Sequence, residues 1–112
     1  MKTFACLLLL AVSLGAQTRS VVLTWADTQN PAGTTYNVYR APGACPTSGT
    51  PAYVNITATP LAVKTFTDPV AIGTTNCYSV TAVSGTTESL KAVPVVAVAG
   101  PFLVTGLSVV VQ

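Results

Sequence analysis

The sequence predicts an all-β fold, an antiparallel β-sandwich of about seven strands, on three observations. From residue 21 onward, apolar and polar residues alternate with a period of two, and no window has the 3.6-residue apolar period of an amphipathic helix. Turn-forming residues separate the alternating segments at intervals of about 8 to 12 residues. Charged residues make up only 7% of the chain, and Thr, Ser, Ala and Val take their place, a composition that favours strands. With 112 residues, the chain has room for one domain.

Two clear strands are predicted near the start of the domain. Residues 21–25 and 35–40 both alternate, and residues 27–33 between them are rich in turn formers. Alternation therefore predicts which side chains face the core. In these two strands they are Val21, Leu23, Trp25, Tyr36 and Val38.

The middle of the chain is less regular. Residues 41–51 contain three prolines, which remove donors from a ladder, so this stretch is not expected to form a central strand. Shorter strands are predicted at 52–56 and 62–67. The Asp68-Pro69 pair that follows is predicted to be a turn.

The strongest predicted strand is residues 76–83, whose apolar side chains share one face and send Cys77 to the other. After a turn at 84–86, residues 88–99 form a last strand that Pro94 interrupts. We expect this strand at a sheet edge or with a bulge, because proline cannot donate to a ladder. The shared apolar face of the strongest strand comprises Tyr78, Val80 and Ala82.

Residues 1–16 are predicted to be a signal peptide. Lys2 supplies the charged start, residues 4–12 form the apolar run, and small residues precede cleavage after Ala16 or, alternatively, after Gly15. The apolar run of about nine residues is far shorter than the roughly 20 of a spanning helix. We therefore expect a secreted or extracellular protein with no membrane span; the alternative locations are the cell surface and the periplasm. The alternative is that these residues are retained and join the core.

Three cysteines become two once the predicted signal peptide, which contains Cys6, is removed. In an oxidising compartment an even pair is typical of a disulfide, so we predict a Cys45–Cys77 bond. The chain-entropy model gives it about 3 to 4 kcal/mol of stabilisation. The alternative is two free buried thiols.

Charge and residue types exclude several classes of function. The net charge of +2 is weak and scattered, whereas nucleic-acid-binding proteins concentrate Lys and Arg on one face. The chain contains no histidine, which removes the usual general base and the commonest metal ligand. We expect no enzyme activity and no catalytic, cofactor-binding or metal site.

The few other ionisable side chains do not suggest a catalytic pair. Asp68 is expected to end its strand at the pole opposite Asp27, too far away for the paired carboxylates of glycoside hydrolysis. Asp27 and Glu88 share a pole, where a turn-capping Asp and a solvated Glu are the expected roles. Lys64 and Lys91 fall near strand starts, as residues that protect an edge do, although a carbohydrate or acidic polymer could contact either.

Five motifs within residues 21–99 together resemble strands B, C, E, F and early G of a fibronectin type III domain, an immunoglobulin-like sandwich. The resemblance implies a domain at 17–99 in which Trp25 is the core tryptophan and Tyr36 and Tyr78 are its partners across the two sheets. It also implies that Cys45 and Cys77 lie at one pole. The adhesive tripeptide Arg-Gly-Asp is absent, so integrin binding is not implied. The motifs are Val-x-Leu-x-Trp at 21–25, Tyr-x-Val-Tyr-Arg at 36–40, Thr-Phe-Thr-Asp at 65–68, Tyr-x-Val-x-Ala-Val at 78–83 and Glu-Ser at 88–89.

The C-terminal tail, residues 100–112, contains a surplus strand-like segment in which Leu107, Val109 and Val111 alternate. A chain that begins at Gln17 lacks the first strand of the resembled fold. We therefore hypothesise that the tail of one copy fills the empty position of the next, head to tail. The alternatives are a loosely docked or disordered tail, a strand added within the same chain in the opposite direction, or retained residues 12–17 as the first strand.

The expected function is that of an exported, non-catalytic structural, adhesive or protein-interaction module, which self-assembles through its C-terminal strand. The alternative is a carbohydrate-binding accessory module, for which Tyr39 and Tyr53 are the candidate exposed aromatic residues. No cofactor is expected. The expected partners are a protein or a second copy, with carbohydrate as the alternative and nucleic acid excluded.

Overall fold

The computed structural model describes residues 17–102 and residue 108, and within them the chain forms seven β-strands and no helix. Every strand pairing is antiparallel, so the predicted all-β antiparallel class is confirmed. These residues include no helix long and apolar enough to cross a membrane. The predicted signal peptide and the candidate assembly residues Leu107, Val109 and Val111 lie outside the described residues. The strands are β1 (Thr18–Thr24), β2 (Thr35–Pro42), β3 (Val54–Asn55), β4 (Thr65–Ala71), β5 (Thr75–Ser84), β6 (Thr87–Glu88) and β7 (Val95–Val98).

The strands form two sheets. One contains β1 and β4, and the other has the order β3-β2-β5-β6, with β7 also paired to β5. Asp68 of β4 accepts hydrogen bonds from Arg40 Nη1 of β2, at 2.9 and 2.8 Å, and from the Tyr78 hydroxyl of β5, at 2.6 Å. Because these bonds run from one sheet to the other, the two sheets face each other in a sandwich-like arrangement.

The core lies mainly against the larger sheet. Val38 is 0% exposed, Tyr78 1% and Tyr36 5%. Trp25, which directly follows β1, contacts Tyr36 edge-on with ring centroids 5.7 Å apart, but it is only half-buried. No residue of β1 is fully buried, since its strand pattern alternates between exposed and intermediate. The core is therefore incompletely covered on the β1 side.

The predicted turn at Asp68-Pro69 is wrong. Both residues lie inside β4, and the turn follows at 72–74. Two hydrogen bonds at the ends of the β1–β4 pair, Trp25 N to Lys64 O (3.1 Å) and Ile72 N to Gln17 O (3.0 Å), show which residues point their backbone groups at the partner strand. They are the odd-numbered residues of β1 and the even-numbered residues of β4. The nitrogen of Pro69 therefore points away from β1, and the proline removes no hydrogen bond between β1 and β4.

The last predicted strand is divided. Residues 89–94 separate β6 from β7, and Pro94 stands immediately before β7. This connection stays on the sheet because Ser89 N donates to Ala82 O (2.8 Å) and Ala92 N donates to Val80 O (3.0 Å).

The predicted disulfide is confirmed. Cys45 and Cys77 are bonded, with their Cα atoms 4.9 Å apart. The bond ties the loop after β2 to the beginning of β5, and Cys77 is completely buried. The Tyr53 hydroxyl lies 3.7 Å from the Cys77 sulfur.

Candidate functional site

The open edge of β1 is the most distinctive backbone feature. β1 pairs with β4 over its whole length, and within the described residues nothing pairs with its other side. The ladder phase directs the N–H and C=O groups of odd-numbered residues toward β4. The even-numbered residues therefore present unpaired backbone groups at the open edge. They are Thr18, Ser20, Val22 and Thr24.

The other edges of the described sheets are better protected. The far edge of β4 contains Pro69, whose ring removes the donor at that side. β3 has only two residues, and β7 has four residues directly after Pro94. β1, with seven residues and no proline, is thus the longest unprotected edge in this part of the chain.

A groove lies beside the open edge, between β1 and the larger sheet. We call it the β1 groove, and it is lined by Leu23, Trp25, Val80, Val93 and Val95. Val93 is 89% exposed and Val95 55% exposed, so apolar surface remains uncovered. The groove holds about 120 Å³, far less than the roughly 300 to 1,000 Å³ of small-molecule sites. Its size suits side chains of an added strand better than a small ligand.

Trp25, one of the residues that line the groove, has a hydrogen-bond donor without a partner. Its indole Nε1 is buried and has no hydrogen-bond acceptor among the described residues. A buried donor without a partner costs about 1 to 3 kcal/mol.

The chain leaves the sandwich beside the beginning of β1. Gly73 N donates to Ala99 O (2.7 Å), which places the end of β7 next to the turn between β4 and β5. Arg19 Nη1 then donates to the carbonyl oxygens of Gly100 (3.2 Å) and Pro101 (3.0 Å). Its guanidinium also lies 4.3 Å from the centre of the Phe102 ring. We call these contacts the Arg19 clasp.

The outward face of the larger sheet has a polar network centred on Glu88. Its Oε2 accepts hydrogen bonds from the hydroxyls of Tyr39 and Thr81 and from Asn37 Nδ2. The bonds from Thr81 and then Tyr39 are the main cause that lowers the pKa of Glu88. The same contact with Glu88 raises the pKa of Tyr39.

The two candidate aromatic residues lie on this outward face but do not form a flat platform. The rings of Tyr39 and Tyr53 are 6.3 Å apart and inclined at 72°. Lys91 Nζ lies over both, 4.2 Å and 5.5 Å from the two ring centres. Lys91 therefore contacts the tyrosines rather than a sheet edge.

The carboxylates are separate and each is held by its own partners. Asp27 caps a turn, where Oδ1 accepts from the backbone N–H groups of Gln29 and Asn30, both at 3.1 Å. Side-chain and backbone bonds from Asn30, with the Tyr36 hydroxyl, hold the pKa of Asp27 well below its usual range. Asp27 therefore has the turn-capping role that was expected.

Asp68 is not at the end of its strand, contrary to expectation, but inside β4 and buried between the sheets. Its hydrogen bonds to Arg40 and Tyr78 take up the carboxylate. Burial, together with this contact, raises the pKa of Tyr78 to about 12. The arrangement is that of a structural ion pair.

A larger cavity, beside Arg40, offers little for chemistry. It holds about 470 Å³ and its one charged lining residue is Arg40, which is already paired with Asp68. Within the described part of the chain, no group of three or more His, Cys, Asp or Glu side chains could hold a metal ion.

Sequence reasoning missed two arrangements. The first is the Arg40–Asp68 ion pair. Arg40 continues the inward alternation of Tyr36 and Val38, so the period-two pattern places its charge between the sheets. A buried charge needs a partner of opposite charge, which is the signal that could have indicated a buried carboxylate. The Arg19 clasp left no signal in the sequence, since it joins residues 81 to 82 positions apart.

No protein-family model matches the chain, and no curated protein is significantly similar to it.

Proposed function

We propose that this protein is a non-catalytic protein-interaction module that accepts an additional β-strand at the open edge of β1. The open edge of β1 carries the proposal. It is the longest proline-free edge of the described sheets, and it borders an apolar groove in which the side chains of Val93 and Val95 remain exposed. A strand added there would pair the unused backbone groups of β1 and cover the groove at the same time.

We also propose that the sandwich is of the fibronectin type III kind. The pairing of β1 with β4 and of β2 with β5 supports it, because the resemblance assigns these strands as B with E and C with F. In that assignment the position beside β1 belongs to strand A. The empty position is therefore the one that the sequence resemblance leaves without a segment.

A second copy of the chain is the proposed source of the added strand. In residues 103–112, Leu107, Val109 and Val111 alternate and would share one face, as a strand over the β1 groove requires. A strand from another copy can enter at the end of β1 and run antiparallel to it. Repeated head to tail, this contact forms open linear assemblies, or rings where the rotation between copies closes.

The disulfide supports an exported protein, because such bonds persist in oxidising compartments. The weak net charge favours assembly further, since there is little repulsion between copies.

Deletion of residues 103–112 tests the proposal, because all seven strands lie outside the deleted segment. The intact protein is expected to show concentration-dependent oligomers in size-exclusion chromatography with light scattering, and the deletion variant to remain monomeric. Equal masses for both at every concentration would contradict self-assembly. Mass spectrometry of the intact protein shows whether residues 1–16 are retained. Gln17 itself continues β1 toward β4, since Ile72 N donates to its carbonyl oxygen, so it is not part of an added strand.

Carbohydrate binding is the second candidate, and the Tyr39–Tyr53 pair on the outward face is the observation that favours it. A sugar ring would have to displace Lys91 from the tyrosines. A glycan array tests this candidate: Tyr39→Ala should abolish any binding that the unaltered protein shows.

A further inference from the structure

We infer that Tyr39, Tyr53 and Glu88 form a binding site for an organic ammonium group of the trimethylammonium class, to which choline belongs, and that Lys91 of the same chain occupies this site until a ligand displaces it. We call the three residues the ammonium cage. The cage lies on the outward face of the larger sheet and includes no residue of the β1 edge, so the inference goes beyond the proposed function.

The two tyrosine rings form two walls of the cage. Their planes are inclined at 72° and their centroids are 6.3 Å apart, so the rings stand at a steep angle to each other. Lys91 Nζ lies 4.2 Å from the centre of the Tyr39 ring and 5.5 Å from that of Tyr53. Both distances are within the roughly 6 Å at which an aromatic face attracts a cation. One ammonium group therefore contacts both rings at once.

Glu88 supplies negative charge beside the rings. Its Oε2 accepts hydrogen bonds from the hydroxyls of Tyr39 and Thr81. The bonds from Thr81 and then Tyr39 are the main causes that lower the pKa of Glu88, and the positive charge of Lys91 lowers it further. An ionised carboxylate next to two aromatic faces favours a cation over an anion or a neutral sugar ring.

Contacts that do not involve Lys91 hold the walls in place. The Tyr39 hydroxyl donates to Glu88, and the Tyr53 hydroxyl lies 3.7 Å from the sulfur of Cys77, which belongs to the disulfide. The cage should therefore keep its shape when Lys91 leaves it.

Lys91 is an occupant that a ligand can replace. It is an exposed residue of the connection between β6 and β7. Within the described part of the chain, its ammonium group has these two ring contacts and no hydrogen bond or ion pair. A lysine ammonium is strongly hydrated, whereas methyl groups shield the charge of a trimethylammonium group from water. The methylated cation therefore loses less hydration when it enters the cage.

Titration of the protein with choline, followed by NMR chemical shifts, tests the inference. Lys91→Ala opens the cage and should bind choline about fivefold more tightly than the intact protein, the factor expected when one competing cation–π contact is lost. The uncharged analogue of choline in which carbon replaces nitrogen should not bind. Lys64→Ala is the matched control, because Lys64 contacts the backbone of Asp27 and no aromatic ring of the cage, and it should bind choline as the intact protein does.

Removal of a wall should weaken binding. Tyr53→Leu, combined with Lys91→Ala, keeps apolar bulk but removes one ring, and it should weaken choline binding by at least about tenfold. Tyr39→Leu in the same background is a second variant with the same expected result, and circular dichroism verifies that both variants are folded.

A vesicle assay distinguishes the two sources of the ligand. Cosedimentation of Lys91→Ala with phosphatidylcholine vesicles, and not with phosphatidylglycerol vesicles, would identify a lipid headgroup as the ligand. Binding of free choline without binding to vesicles would identify a small soluble ammonium compound.

The other outcomes would overturn the inference. If Lys91→Ala does not bind choline, or binds the uncharged analogue equally well, the ammonium site is wrong. If Lys91→Ala and the intact protein bind choline equally, Lys91 does not occupy the cage. If both leucine variants keep full affinity, the rings are not its walls. Strand acceptance at β1 is unaffected by any of these results, because the assays change no residue of that edge.

Discussion

Asp68 of β4 forms an ion pair with Arg40 of β2, which joins the two sheets. Its side chain is 8% exposed, and that of Arg40 is 36% exposed, so the ion pair is buried on one side only. A carboxylate in such a place needs hydrogen bonds to offset its lost hydration, and Arg40 and Tyr78 supply them. Between them they fix how β4 sits on β2 and β5.

Removal of the Tyr78 hydroxyl should therefore be costly. We expect Tyr78→Phe to lower the free energy of unfolding by about 1.5 to 3 kcal/mol, the usual contribution of a hydrogen bond to a charged group. Urea denaturation measures the change. Tyr36→Phe is the matched control, because its partner Asp27 keeps the donors of Gln29 and Asn30 and the loss should be smaller. A larger loss for Tyr36→Phe would contradict this interpretation of Asp68.

Glu88 should make stability depend on pH. Hydrogen bonds hold its pKa in the folded protein below the value of about 4.3 in an unfolded chain. The unfolded state then binds more protons, so stability is lost as the pH falls from about 4.3 toward the folded pKa. Glu88→Gln should make the decline shallower in urea denaturation measured at a series of pH values. Asp27, whose pKa is also lowered, should keep part of the decline, and an unchanged slope in the variant would count against the Glu88 network.

At the scale of elements, the disulfide ties the loop after β2 to β5. The bonded cysteines are 32 residues apart in the sequence, so the bond restricts a substantial loop in the unfolded chain. Replacement of both Cys45 and Cys77 by Ala should cost about 3 to 4 kcal/mol by the chain-entropy model. Chemical denaturation of the reduced, unaltered protein should match the double variant. Coincident curves for the oxidised and reduced protein would refute this contribution.

The strands show what sequence patterns can and cannot predict. Alternation was sufficient to place β2 and β5, because apolar side chains share one face of each strand and mostly polar ones share the other, although side chains on both faces are buried. The turn predicted at Asp68-Pro69 was wrong, because both residue types are common in turns but here lie inside β4. Whether a proline is tolerated depends on which side its nitrogen faces, and the pairing of β1 with β4 determines that side.

The candidate site was only partly predictable for the same reason. A missing first strand and a surplus segment could be inferred by counting strand-like segments. Three features could not be inferred, because they depend on contacts between distant parts of the chain. They are the direction in which the backbone groups of β1 point, the unpartnered indole N–H of Trp25 and the Arg19 clasp.

At the scale of the whole molecule, the described residues leave the β1 edge of the two-stranded sheet open, whereas Pro69 protects its β4 edge. Val22 of β1 and Thr67 of β4 are register partners whose nitrogens face away from each other, toward the two outer edges. Proline at either position removes no bond between β1 and β4. The pair therefore allows a matched test of which edge is used.

Val22→Pro should prevent strand addition, whereas Thr67→Pro should not. We expect the first variant to lose concentration-dependent oligomers in light scattering and the second to keep them. Circular dichroism of both variants verifies that the fold is retained. Loss of assembly in Thr67→Pro alone would place the contact on β4 instead.

Residue-resolved hydrogen exchange of β1 tests strand acceptance most directly. In the variant that lacks residues 103–112, the amides of Arg19, Val21 and Leu23 should be protected by β4, whereas those of Ser20, Val22 and Thr24 should exchange freely. Addition of the peptide of residues 103–112 should slow exchange at the even-numbered amides and leave the odd-numbered ones unchanged. If the even-numbered amides continue to exchange freely at saturating peptide, no strand is added at this edge.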